Sequence, residues 1–165
     1  MTNTDVSIRP ALPADAERVW QTLEPTIRGG EALALASDLS RELALGYWLR
    51  PGSEVFVAEQ AGTVVGTYSL RASRLGGGDH VATAEYIVSP SATGRGIAQL
   101  MCDHSLTRAR SLGFRALQLD FVLISDERRL KLWQRAGFEI VGRLPDAFRH
   151  PSLGLVDALV MHRDL

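Results

Sequence analysis

Val88-Ser89-Pro90-Ser91-Ala92-Thr93-Gly94-Arg95-Gly96-Ile97-Ala98 joins two different sequence patterns. Before it, Val81 to Val88 is β-branched and aromatic and is closed by Ser89-Pro90, which predicts a strand. After it, Ile97, Leu100, Met101, Leu106, Ala109 and Leu112 recur at helical spacing as far as Gly113, which predicts a helix over 97–112. Backbone N–H groups at a helix start lack intrahelical partners, and the helix dipole adds partial positive charge there. A glycine-containing loop at such a place can hold a pyrophosphate without side-chain bulk in the way, with Arg95 able to add a charge-assisted contact; on the loop alone, glycines that merely turn the chain are an equal alternative. Two familiar phosphate loops do not fit. Walker A ends in Gly-Lys-Ser/Thr, and the dinucleotide fingerprint needs a third glycine where Gln99 stands.

Outward from this loop the chain alternates helices and strands. Val6 to Pro10 predicts a first strand, and Pro13 to Glu17 opens a helix carrying Val19, Trp20, Leu23 and Ile27 until Gly29-Gly30 interrupts it. Ser37-Asp38-Leu39 predicts the start of a second helix, running through Leu45 and ended by Gly46. Glu54 to Glu59 and Thr63 to Tyr68 predict a hairpin around Gln60-Ala61-Gly62. Downstream, Leu117, Leu119, Phe121 and Leu123 alternate with Gln118, Asp120 and Val122 as one face of a strand, which leaves Asp120 on the opposite face. Ser125-Asp126-Glu127 caps a helix to about Ala136, and Phe138 to Val141 and Leu155 to Met161 predict two last strands around a loop holding Pro145 and Pro151.

The 165 residues fit one mixed α/β domain over 1–165, with no repeat and no long linker. Eighteen basic and nineteen acidic side chains leave a net charge of −1, so no footprint for nucleic acid or an anionic membrane stands out. The lone Cys102 excludes an intramolecular disulfide and suits a reducing compartment. Met1 to Asp5 lacks a basic region followed by an apolar run, and the expected location is the cytoplasm. The four histidines are scattered, and no metal is expected.

The loop, aligned on Gly96 and Ala98, resembles the acetyl-CoA loop of the GNAT superfamily, written Arg/Gln-x-x-Gly-x-Gly/Ala, with Thr93 at its first position. Asp126 to Phe138 is similar to the family's Asn-x-x-Ala-x-x-Leu-Tyr-x-x-x-Gly-Phe segment, with Asp126 for asparagine and Trp133 for tyrosine. The resemblance implies a mostly antiparallel sheet, flanked by helices and splayed between Val81–Val88 and Arg115–Leu123. It also implies pantetheine along Tyr86, Ile87 and Val88, pyrophosphate on Thr93, Gly94, Arg95, Gly96, Ile97 and Ala98, and further cofactor contacts from Asp126, Leu132, Trp133 and Arg135. Acetyl-CoA is then the co-substrate and an amine the acceptor. Similar proteins are commonly dimers, which makes a homodimer an open alternative to the monomer.

Attack on a thioester needs a neutral amine, and an alkylammonium with a pKa of about 10 is mostly protonated at neutral pH. Glu85, on the strand beside the implied acetyl position, is the leading base or substrate-orienting group, set against a solvated strand residue or a structural ion pair. Asp126 is a second catalytic candidate or, equally, a stabiliser of the helix N-terminus; Asp120 ranks below Glu85. The indole of Trp133 cannot protonate a leaving thiolate, and a wall residue is its better reading. Cys102 reads as a small buried side chain rather than a nucleophile. Arg28, Glu31, Tyr47 and Phe148 are the candidate acceptor contacts, and a further likeness to acetyltransferases of proline-like amino acid analogues runs through Ile27 to Glu31, Leu132 to Gln134 and Phe148 to Pro151. The expected activity is N-acetylation of a small amine, against a protein N-terminal or lysine acetyltransferase and a non-catalytic acyl-CoA-binding domain.

Overall fold

The computed structural model describes residues 5–165. Met1 to Thr4, which carry most of the segment read above for a leader, lie outside the described residues. The order is β1 (Val6–Pro10), α1 (Ala16–Gly29), α2 (Arg41–Trp48), β2 (Glu54–Gln60), β3 (Thr63–Ala72), β4 (Val81–Val88), α3 (Ile97–Ser111), β5 (Ala116–Leu123), α4 (Glu127–Arg135), β6 (Glu139–His150) and β7 (Gly154–Asp164). Seven strands form one sheet in the order β1-β2-β3-β4-β5-β7-β6. Every neighbouring pair is antiparallel except β4 and β5. This is the splayed, mostly antiparallel sheet that the resemblance implied. Among the described residues no helix is long and apolar enough to cross a membrane.

Each face of the sheet buries a helix pair. Val19, Trp20, Leu23 and Ile27 of α1 and Ala44, Leu45 and Trp48 of α2 pack with Val57, Val64 and Ile87. On the other face Ile97, Met101, Cys102, Leu106 and Ala109 of α3 and Trp133 of α4 pack over Tyr68, Tyr86 and Leu117. Gly66 permits that contact, because a Cβ there would stand 3.0 Å from Met101 Cε and 3.1 Å from Ile97 Cγ2. A ladder of rings runs from Phe56 through Tyr68 and Tyr86 to Trp133, with centroid separations of 4.9, 5.6 and 4.9 Å. It ties the sheet to α4.

The structure departs from the sequence reading in several places. The second helix is capped by Ser40, whose Oγ accepts from Leu43 N at 3.2 Å, rather than by Ser37. It continues through the exposed Gly46 because Trp48 beyond it is buried. Alternation in β5 breaks at a register shift between Leu119 and Val122, which leaves Phe121 36% exposed while Val122 is buried. The last strands are longer, and Pro145 lies inside β6. β6 is an edge strand with a register shift between Leu144 and Phe148, where a missing N–H costs no ladder bond, and Asp157 Oδ1 accepts from Asp146 N at 2.9 Å.

Candidate functional site

Parallel pairing of β4 with β5 covers only Val81, Ala82 and Thr83 against Ala116, Leu117 and Gln118. Beyond Thr83 the strands part, although β4 stays paired with β3 as far as Val88. The edge of β4 that faces β5 therefore presents backbone groups over Ala84 to Val88 that an extended ligand arm can satisfy. The split opens into a cavity of about 230 Å³, lined by β4 from Thr83 to Tyr86, by β5 from Leu119 to Leu123, by Asp126, Arg129 and Trp133, and by Ala32 to Leu35, Tyr47 and Arg71.

Glu85 is half-buried and lines that cavity. Its carboxylate accepts the Tyr47 hydroxyl at 2.8 and 2.9 Å, and Oε1 lies 3.2 Å from Arg71 Nη1 and 3.5 Å from Arg50 Nη2. Burial, followed by the charge of Glu85, raises the Tyr47 pKa, so this phenol is a neutral donor. Arg50 also sits 4.2 Å from the centroid of the Tyr47 ring. Two of the sequence-derived candidates, 38 residues apart, thus form one cluster, together with Arg50 and Arg71, which sequence reasoning missed. Asp120 also lines the cavity and accepts from Gln118 Nε2 at 2.6 Å.

At the far end of β4, Gly94 (φ 83°) and Gly96 (φ 77°) take left-handed conformations that make the turn into α3. Gly96 is the N-cap of α3 and brings no capping side chain, so the first-turn N–H groups of Ile97 and Ala98 are left for a ligand. Thr93 is exposed, and its hydroxyl reaches back toward Ser89 O at 3.4 Å. Arg95 is exposed and donates to Gln60 Oε1. A second cation at the loop is Arg128 of α4, whose Nη2 would lie 3.0 Å from a Cβ on Gly94. The sequence puts 34 positions between them, and only folding reveals the contact.

Asp126 is the N-cap of α4, accepting Arg129 N at 3.0 Å, and it also lines the cavity. The cap bond is the helix-stabilising role expected of that residue. Trp133 is 3% exposed and walls the cavity against Tyr86. Tyr86 Oη shares a hydrogen with Ser105 Oγ at 2.6 Å, and burial pushes its pKa well up. Ile87 packs on the α1–α2 side, so a ligand at β4 meets its backbone rather than its side chain, and Val88 is half-buried. Leu132 is half-buried against the core, whereas Arg135 is exposed two turns beyond Arg128. Cys102 is buried, and burial raises its pKa to about 12, as suits an inert thiol.

The remaining acceptor candidates fall beside the cavity. Arg28 and Phe148 line an adjoining recess of about 310 Å³, which shares Leu33 and Leu35 with the first cavity. Arg28 Nη1 donates to Ser37 O and Leu39 O, both at 2.8 Å, and so holds the 30–39 loop in place. Phe148 is 9% exposed and packs on Leu123 and Ala158. Glu31 is exposed and lines neither space.

A family model described as the Acetyltransferase (GNAT) family matches residues 17–138. A GCN5-related N-acetyltransferase from Kribbella flavida is 35% identical, with a TM-score of 0.95 over 99% of this chain and 100% of that one. N-acetyltransferase aca1 of Schizosaccharomyces pombe is 26% identical over 99 residues, which are 59% of this chain and 47% of that protein. The chain spans about half the length of that curated relative. A phosphinothricin acetyltransferase from Sinorhizobium meliloti, solved in complex with AcCoA, shares the fold at 24% identity and a TM-score of 0.83, over 98% of this chain and 89% of that one.

Proposed function

The chain belongs to the GNAT acetyltransferase family, and from that premise we propose that, as one domain, it passes the acetyl group of acetyl-CoA to a small-molecule amine by direct attack in a ternary complex. One observation carries the reading. The sheet loses its β4–β5 pairing after Thr83, and the gap joins a cavity holding an acidic group. The free edge of β4 suits the amides of a pantetheine arm, and the Gly94–Gly96 turn with Arg128 suits its pyrophosphate.

Glu85 draws the acceptor's ammonium into the cleft and takes its proton, directly or through a water, so that the neutral amine attacks the thioester carbon. Tyr47, Arg50 and Arg71 hold the carboxylate in one orientation. Asp126 caps α4 and offers its carboxylate at the pantetheine side of the cleft. Ala32 to Leu35 and Tyr47 close the acceptor end, and a cavity of about 230 Å³ suits a small amine better than a protein segment. The single buried thiol fits a cytoplasmic location.

Release of CoA from acetyl-CoA, followed with a thiol reagent across a panel of small amines and peptides, tests the proposal. The expected outcome is turnover with at least one small amine, and a fall of about a hundredfold or more in kcat for Glu85→Gln. Acetyl-CoA affinity should remain within a fewfold of the parent. Turnover with peptides alone would make this a protein acetyltransferase. Binding without turnover would make it an acyl-CoA-binding module.

A further inference from the structure

Breaking the thioester leaves negative charge on sulfur, and the groups lining the cleft offer few ways to meet it. The indole of Trp133 is no acid. The Tyr86 hydroxyl is buried and shared with Ser105, and the Tyr47 hydroxyl donates to Glu85. Of the two arginines lining the cavity, Arg71 faces Glu85.

Arg129 is differently placed. It stands one turn before Trp133 on the same face of α4, about 6 Å along the axis. Helical side chains lean toward the N-terminus, so the indole of Trp133 leans back over the turn that carries Arg129. The Arg129 side chain is 29% exposed, and its Nε lies 3.7 Å from Asp126 Oδ2, beyond hydrogen-bond range. The other Asp126 oxygen is taken by the backbone N–H of Arg129 itself. Among the described residues the guanidinium donates no hydrogen bond. Its pKa is lowered by burial, and the charge of Asp126 offsets this only in part. A partly desolvated cation whose donors are unused, facing a cleft, is a place for an anion.

We infer that Arg129 is the thiolate-stabilising residue of the transfer, its guanidinium receiving the charge that develops on the CoA sulfur as the C–S bond breaks. The ammonium loses one proton through Glu85 or water, the freed lone pair forms the C–N bond, the C–S electron pair leaves on sulfur, and the second N–H proton of the new C–N group passes to water. The guanidinium gives up no proton, and the thiolate is protonated by solvent after release. This inference rests on the acetyltransferase reading and adds to it the group that replaces a missing acid.

The test uses CoA and desulfo-CoA without any acceptor, titrated by calorimetry between about pH 7 and 10 into the parent protein, Arg129→Met and Arg129→Lys. An arginine beside the sulfur lowers the bound thiol's pKa, and one unit of lowering tightens CoA by up to about tenfold relative to desulfo-CoA as pH rises past the free thiol's pKa, which for this alkyl thiol lies about a unit above the ~8.5 of a cysteine side chain. The expected result is that rise in the parent, its loss in Arg129→Met and its partial return in Arg129→Lys, with desulfo-CoA binding comparable in all three. A ratio of CoA to desulfo-CoA affinity that stays flat with pH in the parent, or a rise that survives in both variants, overturns the assignment while leaving the acetyltransferase reading intact. A role for Arg129 toward an anionic acceptor would give that flat ratio. Failure of both ligands to bind the parent would overturn the acetyl-CoA reading itself.

Discussion

Gly94 and Arg128 meet at the turn into α3, and their contact separates a binding role from a merely structural one. Gly94→Ala forces a Cβ into a left-handed backbone, at a cost of about 1–2 kcal/mol, and pushes it 3.0 Å from the Arg128 guanidinium. Gly113 shares the left-handed conformation (φ 84°), but a Cβ there meets nothing within 4 Å. Both alanine variants should lower the midpoint of chemical unfolding by similar amounts, whereas only Gly94→Ala should weaken acetyl-CoA, by roughly tenfold or about 1.4 kcal/mol. Equal acetyl-CoA affinity in the two, measured by calorimetry, would contradict the loop assignment. Single residues were legible where a motif fixed them, as with the glycines, Asp126 and Trp133. Arg50, Arg71, Arg128 and Arg129 were not, because a surface arginine and a cleft arginine look alike until a helix face or a distant strand is set beside them. Arg95, which the motif marked, donates to Gln60, 35 positions away, a partner no local pattern announces.

Among the elements, β1, the turn before α1 and β2 are joined by a charged group. Arg9 of β1 pairs with Asp15 at 2.7 Å and with Glu59 of β2 at 2.6 Å, and Asp15 Oδ2 also accepts Leu12 N at 2.7 Å. The Arg9 guanidinium above all, aided by the Leu12 N–H, holds the Asp15 carboxyl down at about 2 against an ordinary value of 3.8. A depressed carboxylate stabilises the fold above its unfolded pKa and loses that contribution as pH falls through the folded one. The window is therefore about pH 4 to 2. Asp15→Asn should be less stable than the parent at pH 7 by about 1 kcal/mol, after discounting for the partial exposure of Arg9, and the difference should close over that window in acid-unfolding curves. A gap unchanged down to pH 2 would mean that the ion pair contributes nothing. The elements themselves were readable where one periodicity held, as in α1, β4 and α3. β6 was not, because Pro145 signals a loop unless an edge strand and a carboxylate on its neighbour are known to accommodate it. The bulge in β5 was equally hidden, since alternation at Phe121 persists in the sequence while the backbone rotates away from it.

Across the whole molecule, the order of elements and the two motifs were enough to anticipate a split sheet, but not which charged groups would line it. The split is stable because both of its walls are anchored outside it. β4 stays paired to β3 and joined to α4 through the Tyr86–Trp133 ring contact, while β5 keeps its antiparallel pairing with β7. Such a gap costs backbone hydrogen bonds that an extended ligand can supply. Backbone amide hydrogen exchange with and without saturating acetyl-CoA therefore tests the central claim most directly. The account predicts slowed exchange at the amides of Ala84 to Val88 that face away from β3 and at the first turn of α3, with β6 unchanged. Exchange that is unaltered in both segments, or slowed instead only around the recess of Arg28 and Phe148, would contradict it.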